Sequence, residues 1–139
     1  MNIYANWFIR MALIYLALGV VMGAVIGIQP EWSQRLRFVH IHLNLLGFLT
    51  MMIAGVAYHV LPRFNARPVP WPGGILVHFI LHNTGLIGMS ATHLAGGLWS
   101  DGLLHSVFVG FALMTGAGLL IMVYNLFFVL LAPREDPEQ

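Results

Sequence analysis

The sequence predicts an all-α fold set in a membrane, with four helices running up-down-up-down. Three observations carry this. Four apolar stretches, at about 7–28, 36–61, 74–95 and 103–131, each reach the roughly 20 residues that cross a bilayer as a helix. Hydrophobic residues make up 59% of the 139-residue chain and charged residues only 8%, whereas a soluble domain carries about 25% charge. Such a small chain exposes much of its surface, and so few charges cannot coat that surface in water. An ordinary soluble monomer is thereby excluded. The joining segments are short, which makes sequential helices antiparallel neighbours.

The first stretch is too long and too rich in glycine for a signal-peptide core. Gln29-Pro30-Glu31 follows it in place of a small-residue cleavage site, so it reads as a retained membrane helix. Gln29 to Arg35 leads into the second stretch. Between the second and third, Pro62, Pro68, Pro70 and Pro72 predict a break in helix over 62–73. Gly96 to Gly102 joins the third to the fourth. None of the four runs shows the ten-residue alternation of a barrel strand. Residues 1–132 read as one transmembrane domain and 133–139 as a polar C-terminal tail.

With the N-terminus in the cytoplasm, the inner side would hold Arg10, Arg63, Arg67 and Arg134, and the outer side Arg35 and Arg37. This bias predicts cytoplasmic termini in a bacterial-type inner membrane. Trp7, Trp32, Trp71 and Trp99 fall near predicted interfaces and read as belt anchors. The net charge of +1 leaves no basic surface for nucleic acid. The absence of cysteine excludes disulfides, thiolate-bound zinc, iron–sulfur clusters and thioether-linked haem.

Seven histidines stand out against this apolar background. Ionisable groups inside a bilayer are costly and usually functional. His40, His42, His93 and His105 fall near the outer ends of their helices. His59 and His78 fall near the inner ends, with His82 a turn deeper. Layered histidines without cysteine or carboxylate partners fit imidazole-ligated haem better than zinc or copper, and no copper site is evident. His40 and His42 are two apart, so on a helix they diverge by roughly 200°. They cannot clamp one iron between them. Each needs a partner from another helix or subunit. His78 and His82 are four apart and share a face, which suits either interhelical hydrogen bonds or one small metal ion. His59 and His105, taken singly, read as interfacial side chains. Gly19, Gly23 and Gly27 form a small-residue row for close helix contact, and Gly110, Gly116 and Gly118 are expected to do similar work.

The run Arg35-Leu-Arg37-Phe-Val-His40-Ile-His42, continued by Gly47-Phe48, Thr50, Gly55, Tyr58-His59 and Pro62-Arg63, resembles the catalytic subunit of haem–copper oxidases, especially the cbb3-type oxidases and their nitric oxide reductase relatives. The similarity covers about 30 residues well and the following helix loosely. His40 falls where that family's second helix carries a haem ligand, and His40-Ile41-His42 resembles the His-x-His pair of its tenth helix. The family's subunit has twelve helices in three arcs of four, and this chain resembles one such arc. The resemblance implies that three copies could rebuild the ring. Each crevice between copies would receive His40 from one protomer and His42 from its neighbour, giving a bis-His haem b site. It also implies that Arg35 and Arg37 neutralise the haem propionates. The family's adjacent His-His copper ligands are not found here, and all five carboxylates lie in loops or the tail.

The sequence therefore favours a homotrimeric membrane cytochrome b with an electron-transfer role over a complete oxidase or reductase. Its redox partner would be a protein or a quinone. A second reading is a monomeric di-haem bundle linked to quinone, with His42 paired to His93 or His105 and His59 to His78 or His82. A third is a non-redox accessory subunit of a terminal oxidase.

Overall fold

The computed structural model describes residues 3–131, so the expected polar tail and Arg134 lie outside the described residues. The described chain is all-helical, and four helices are long and apolar enough to cross a membrane. α1 runs Ile3–Ile28, α2 Pro30–Phe64, α3 Pro72–Leu94 and α4 Leu103–Leu131. The protein is a multi-pass membrane protein.

The helix bounds differ from the sequence expectation in ways that have local causes. α2 starts at Pro30, where a proline is tolerated because a first-turn N–H has no helical partner anyway. It also continues through Pro62 to Phe64 instead of stopping before the proline. The end is a Schellman closure: Arg67 N–H donates to the Pro62 carbonyl (2.9 Å) and Ala66 N–H to the Arg63 carbonyl (3.2 Å). Ala66 takes the left-handed position that such a closure needs, with φ 49°. α3 ends the same way, with Gly96 at φ 95° and bonds from Gly97 to Thr92 and from Gly96 to His93.

α2 is not one uniform helix. It is α-helical over Ser33–His42, π-helical over Leu43–Thr50 and α-helical again over Met51–Phe64. A π segment this long is rare and commonly sits at functional sites.

Two apolar clusters hold the helices together, and each draws on all four. One contains Phe8, Met51, Ala54, Tyr58, Ile75 and Val129. The other contains Tyr15, Val39, Leu43, Leu86, Met89 and Phe108. α3 is the most enclosed helix, with 44% of its most apolar window buried against 17% for α1 and for α4. It is therefore the helix on which a buried polar side chain is best shielded. α1 packs on α2 and α4 on α3, so the flanks of α1 and α4 face outward.

Glycine decides where backbones approach. A Cβ on Gly19 would lie 2.6 Å from Asn44 Nδ2, and one on Gly23 3.0 Å from His40 Cε1. The α1 row thus receives two polar side chains of α2, while Gly27 meets nothing. On α4 only Gly118 does the expected work, against the His78 carbonyl of α3. Gly110 and Gly116 face open space, because they lie off the α3-facing stripe.

Candidate functional site

His40 and His42 leave α2 in different directions, as a two-residue spacing on a helix requires. The His40 ring lies against α1, and its Nδ1 is 2.9 Å from the Gly19 carbonyl oxygen. Asn44, one turn on, donates to the His40 carbonyl at 2.8 Å. The His42 Nδ1 is 2.8 Å from the Phe38 carbonyl oxygen. A carbonyl only accepts, so in both rings Nδ1 carries a hydrogen. Neither Nε2 has a protein partner among the described residues. Both side chains are half-buried.

The remaining sequence candidates fall into two groups. At the end of the bundle where His42 lies, the Phe38 ring is stacked between two imidazoles: His42 at 3.9 Å and His93 at 4.1 Å between centroids. Phe38 also tilts against Phe108, near which His105 lies. His105 is exposed and hydrogen-bonds through Nδ1 to the Gly97 carbonyl (3.2 Å). Arg35 donates to the Leu94 carbonyl (3.2 Å), and Arg37 to Ser33 Oγ (3.1 Å). A cleft of about 660 Å³ opens here between α2 and the end of α3, walled by Glu31, Arg35, His93 and Trp99 among others.

Near the other end, His78 and His82 are fully buried. His78 Nδ1 shares a hydrogen bond with the Tyr58 hydroxyl at 3.2 Å, and His82 Nε2 donates to the Leu46 carbonyl at 3.0 Å. Leu46 lies within the π segment, so that irregularity and the histidine meet. The two imidazoles are 5.5 Å apart, edge to face. His59 stays near the surface and accepts a hydrogen bond from Arg63 one turn on.

Sequence reasoning gave no role to Phe38, Tyr15, Asn83 or Asn125, and it quoted Tyr58 only within the family-like run. Tyr15 donates to Asn83 Oδ1 at 2.7 Å. The fully buried Asn125 holds both backbone polar groups of Trp71, at 3.0 and 3.1 Å. Asparagine inside an apolar helix is a legible signal, because a buried amide must be hydrogen-bonded. The role of Phe38 has no such signal, since one phenylalanine among nine looks like packing.

No family model, curated protein or solved structure matches the chain. The site is therefore read from its own chemistry. Two imidazoles with their Nδ1–H anchored to carbonyls and Nε2 unpartnered are the side chains that could hold a haem iron. Metal-ligating histidines typically have the other ring nitrogen fixed in this way.

Proposed function

We propose that the protein is a membrane b-type cytochrome that binds haem b by bis-His coordination. His40 of one protomer and His42 of its neighbour supply the two ligands, in a homotrimer of up-down-up-down four-helix arcs. The observation that carries this reading is the shared state of the two rings: Nδ1–H on a backbone carbonyl, Nε2 without a protein partner, and different facings from one helix. Gly23 leaves room for the His40 ring against α1, and the Gly19 carbonyl accepts its Nδ1–H. Phe38 positions His42 twice over, through its carbonyl and its ring.

The arrangement favours ligands from two protomers over ligands within one. Phe38 fills the space between His42 and His93, where a haem of a monomeric bundle would lie. His59 is engaged with Arg63, and His105 is exposed beside Gly97 at the surface of the bundle. Arg35 and Arg37 sit on the same helix, a turn before the His pair, and use only part of their donor sets on Leu94 and Ser33. They are the groups that would neutralise propionates. Haem held by His40 and His42 would supply one-electron transfer and would leave no room at the iron for O₂ or NO. The role is therefore electron transfer, with a redox protein or a quinone as partner, and not complete oxidase or reductase chemistry. The Arg distribution supports cytoplasmic termini in a bacterial-type inner membrane.

The test is the reduced-minus-oxidised optical spectrum of the purified protein. The expected result is a b-type spectrum, lost in His40→Ala and in His42→Ala and kept in His59→Ala and His105→Ala. Colourless protein from haem-replete cells would sink the proposal. Bleaching by His93→Ala with His40→Ala unaffected would replace it with the monomeric arrangement.

A further inference from the structure

Four buried side-chain nitrogen or oxygen atoms among the described residues have no hydrogen-bond partner: His78 Nε2, His82 Nδ1, Ser90 Oγ and His93 Nδ1. All four belong to α3. Their spacing of four, eight and three residues keeps them on one side of the helix, the side that is buried. Over 15 residues they span about 22 Å of the roughly 30 Å hydrocarbon core. An orphaned buried polar atom is costly, and an ordered water is its usual partner. One orphan in a membrane core could be incidental. A file of four on the most enclosed helix is a structural feature.

The file has a cavity at each end. Tyr58, whose hydroxyl bonds to His78, also walls a pocket of about 200 Å³ with His59 and Arg63. His93 walls the 660 Å³ cleft with Arg35. Between the two ends lies an interruption. His82 and Ser90 are eight residues apart, about 12 Å along the axis. Leu86, with no exposed surface, and Met89 fill that interval as part of an apolar cluster.

We propose that the buried face of α3 is a proton path across the membrane, made of two hydrated halves divided by Leu86. In the first half a proton enters at the Tyr58 pocket and passes to His78. One water then links His78 Nε2 to His82 Nδ1. His78 takes a proton on one ring nitrogen and releases one from the other, whereas His82, whose Nε2–H is held on the Leu46 carbonyl, takes up and gives back its proton at Nδ1, so no net charge stays behind once the proton has moved on. In the second half Ser90 and water carry the proton past His93 to the cleft. Leu86 is the barrier that keeps the two halves from joining at rest. This inference does not depend on haem.

The experiment is proton flux into vesicles carrying the purified full-length protein, driven by a potassium diffusion potential and read by an internal pH dye. Leu86→Ser is expected to raise the flux severalfold over wild type. Adding His82→Leu is expected to return it to the rate of protein-free vesicles. Flux in Leu86→Ser no higher than in protein-free vesicles would overturn the proposal. So would a raised flux that His82→Leu leaves unchanged, because the leak would then bypass the histidines. A second measurement needs no variant. Radiolytic water labelling of the wild-type protein is expected to mark His78 and His82 despite their lack of solvent contact, and an unmarked pair would mean a dry core and no path.

Discussion

At the scale of single residues, buried amides and one backbone angle account for much of the order around the site. Asn125 satisfies both the N–H and the carbonyl of Trp71 at the start of α3, so it fixes where that helix enters the bundle. Asn125→Ala leaves two backbone groups without their partner. It should cost about 1–3 kcal/mol, seen as a lower midpoint of thermal unfolding in detergent. The reverse is expected at Ala66. Its left-handed φ of 49° suits glycine, so Ala66→Gly should stabilise the protein by about 1 kcal/mol in the same assay. The histidine spacing was legible at this scale. Two residues on any helix must diverge, and His40 and His42 do. Their anchors were less legible, because Gly19 and Phe38 meet them only through the packing of α1 and the local turn of α2.

At the scale of elements, the four spans could be read from the sequence because hydrophobic length is a local property. The irregularity of α2 could not. Leu43–Thr50 has the composition of any apolar helix, and nothing in it announces a π conformation. Pro62 misled for a related reason: a proline near a helix end frees only one late carbonyl, and the Schellman closure tolerates it. The π segment sets the phase between the His40–His42 half of α2 and the Tyr58 half. Deleting the exposed Leu45 would rotate one half against the other by about 100°. Tyr58 would then no longer meet His78, and the expected outcome is loss of folded protein on gel filtration. The stacked row His42–Phe38–His93 joins α2 to α3. Phe38→Leu keeps an apolar side chain but removes two ring stacks, which should cost about 2 kcal/mol of stability in detergent unfolding.

At the scale of the whole molecule, the outward flanks of α1 and α4 and the half-buried His40 and His42 make sense together. If His40 and His42 are iron ligands, their opposite facings require a second copy to complete the proposed site. A closed ring makes that head-to-tail contact finite. The bilayer setting was legible from composition alone. The proposed trimer entered through the resemblance of the run from Arg35 to Arg63 and not through composition, since association depends on surfaces. Native mass spectrometry of the detergent-solubilised protein reads subunit number and haem content together, and it is the most direct test of this account. The account predicts a trimer that carries haem b and loses it in His40→Ala or His42→Ala. A monomer, or a trimer of bare polypeptide from haem-replete cells, would contradict it.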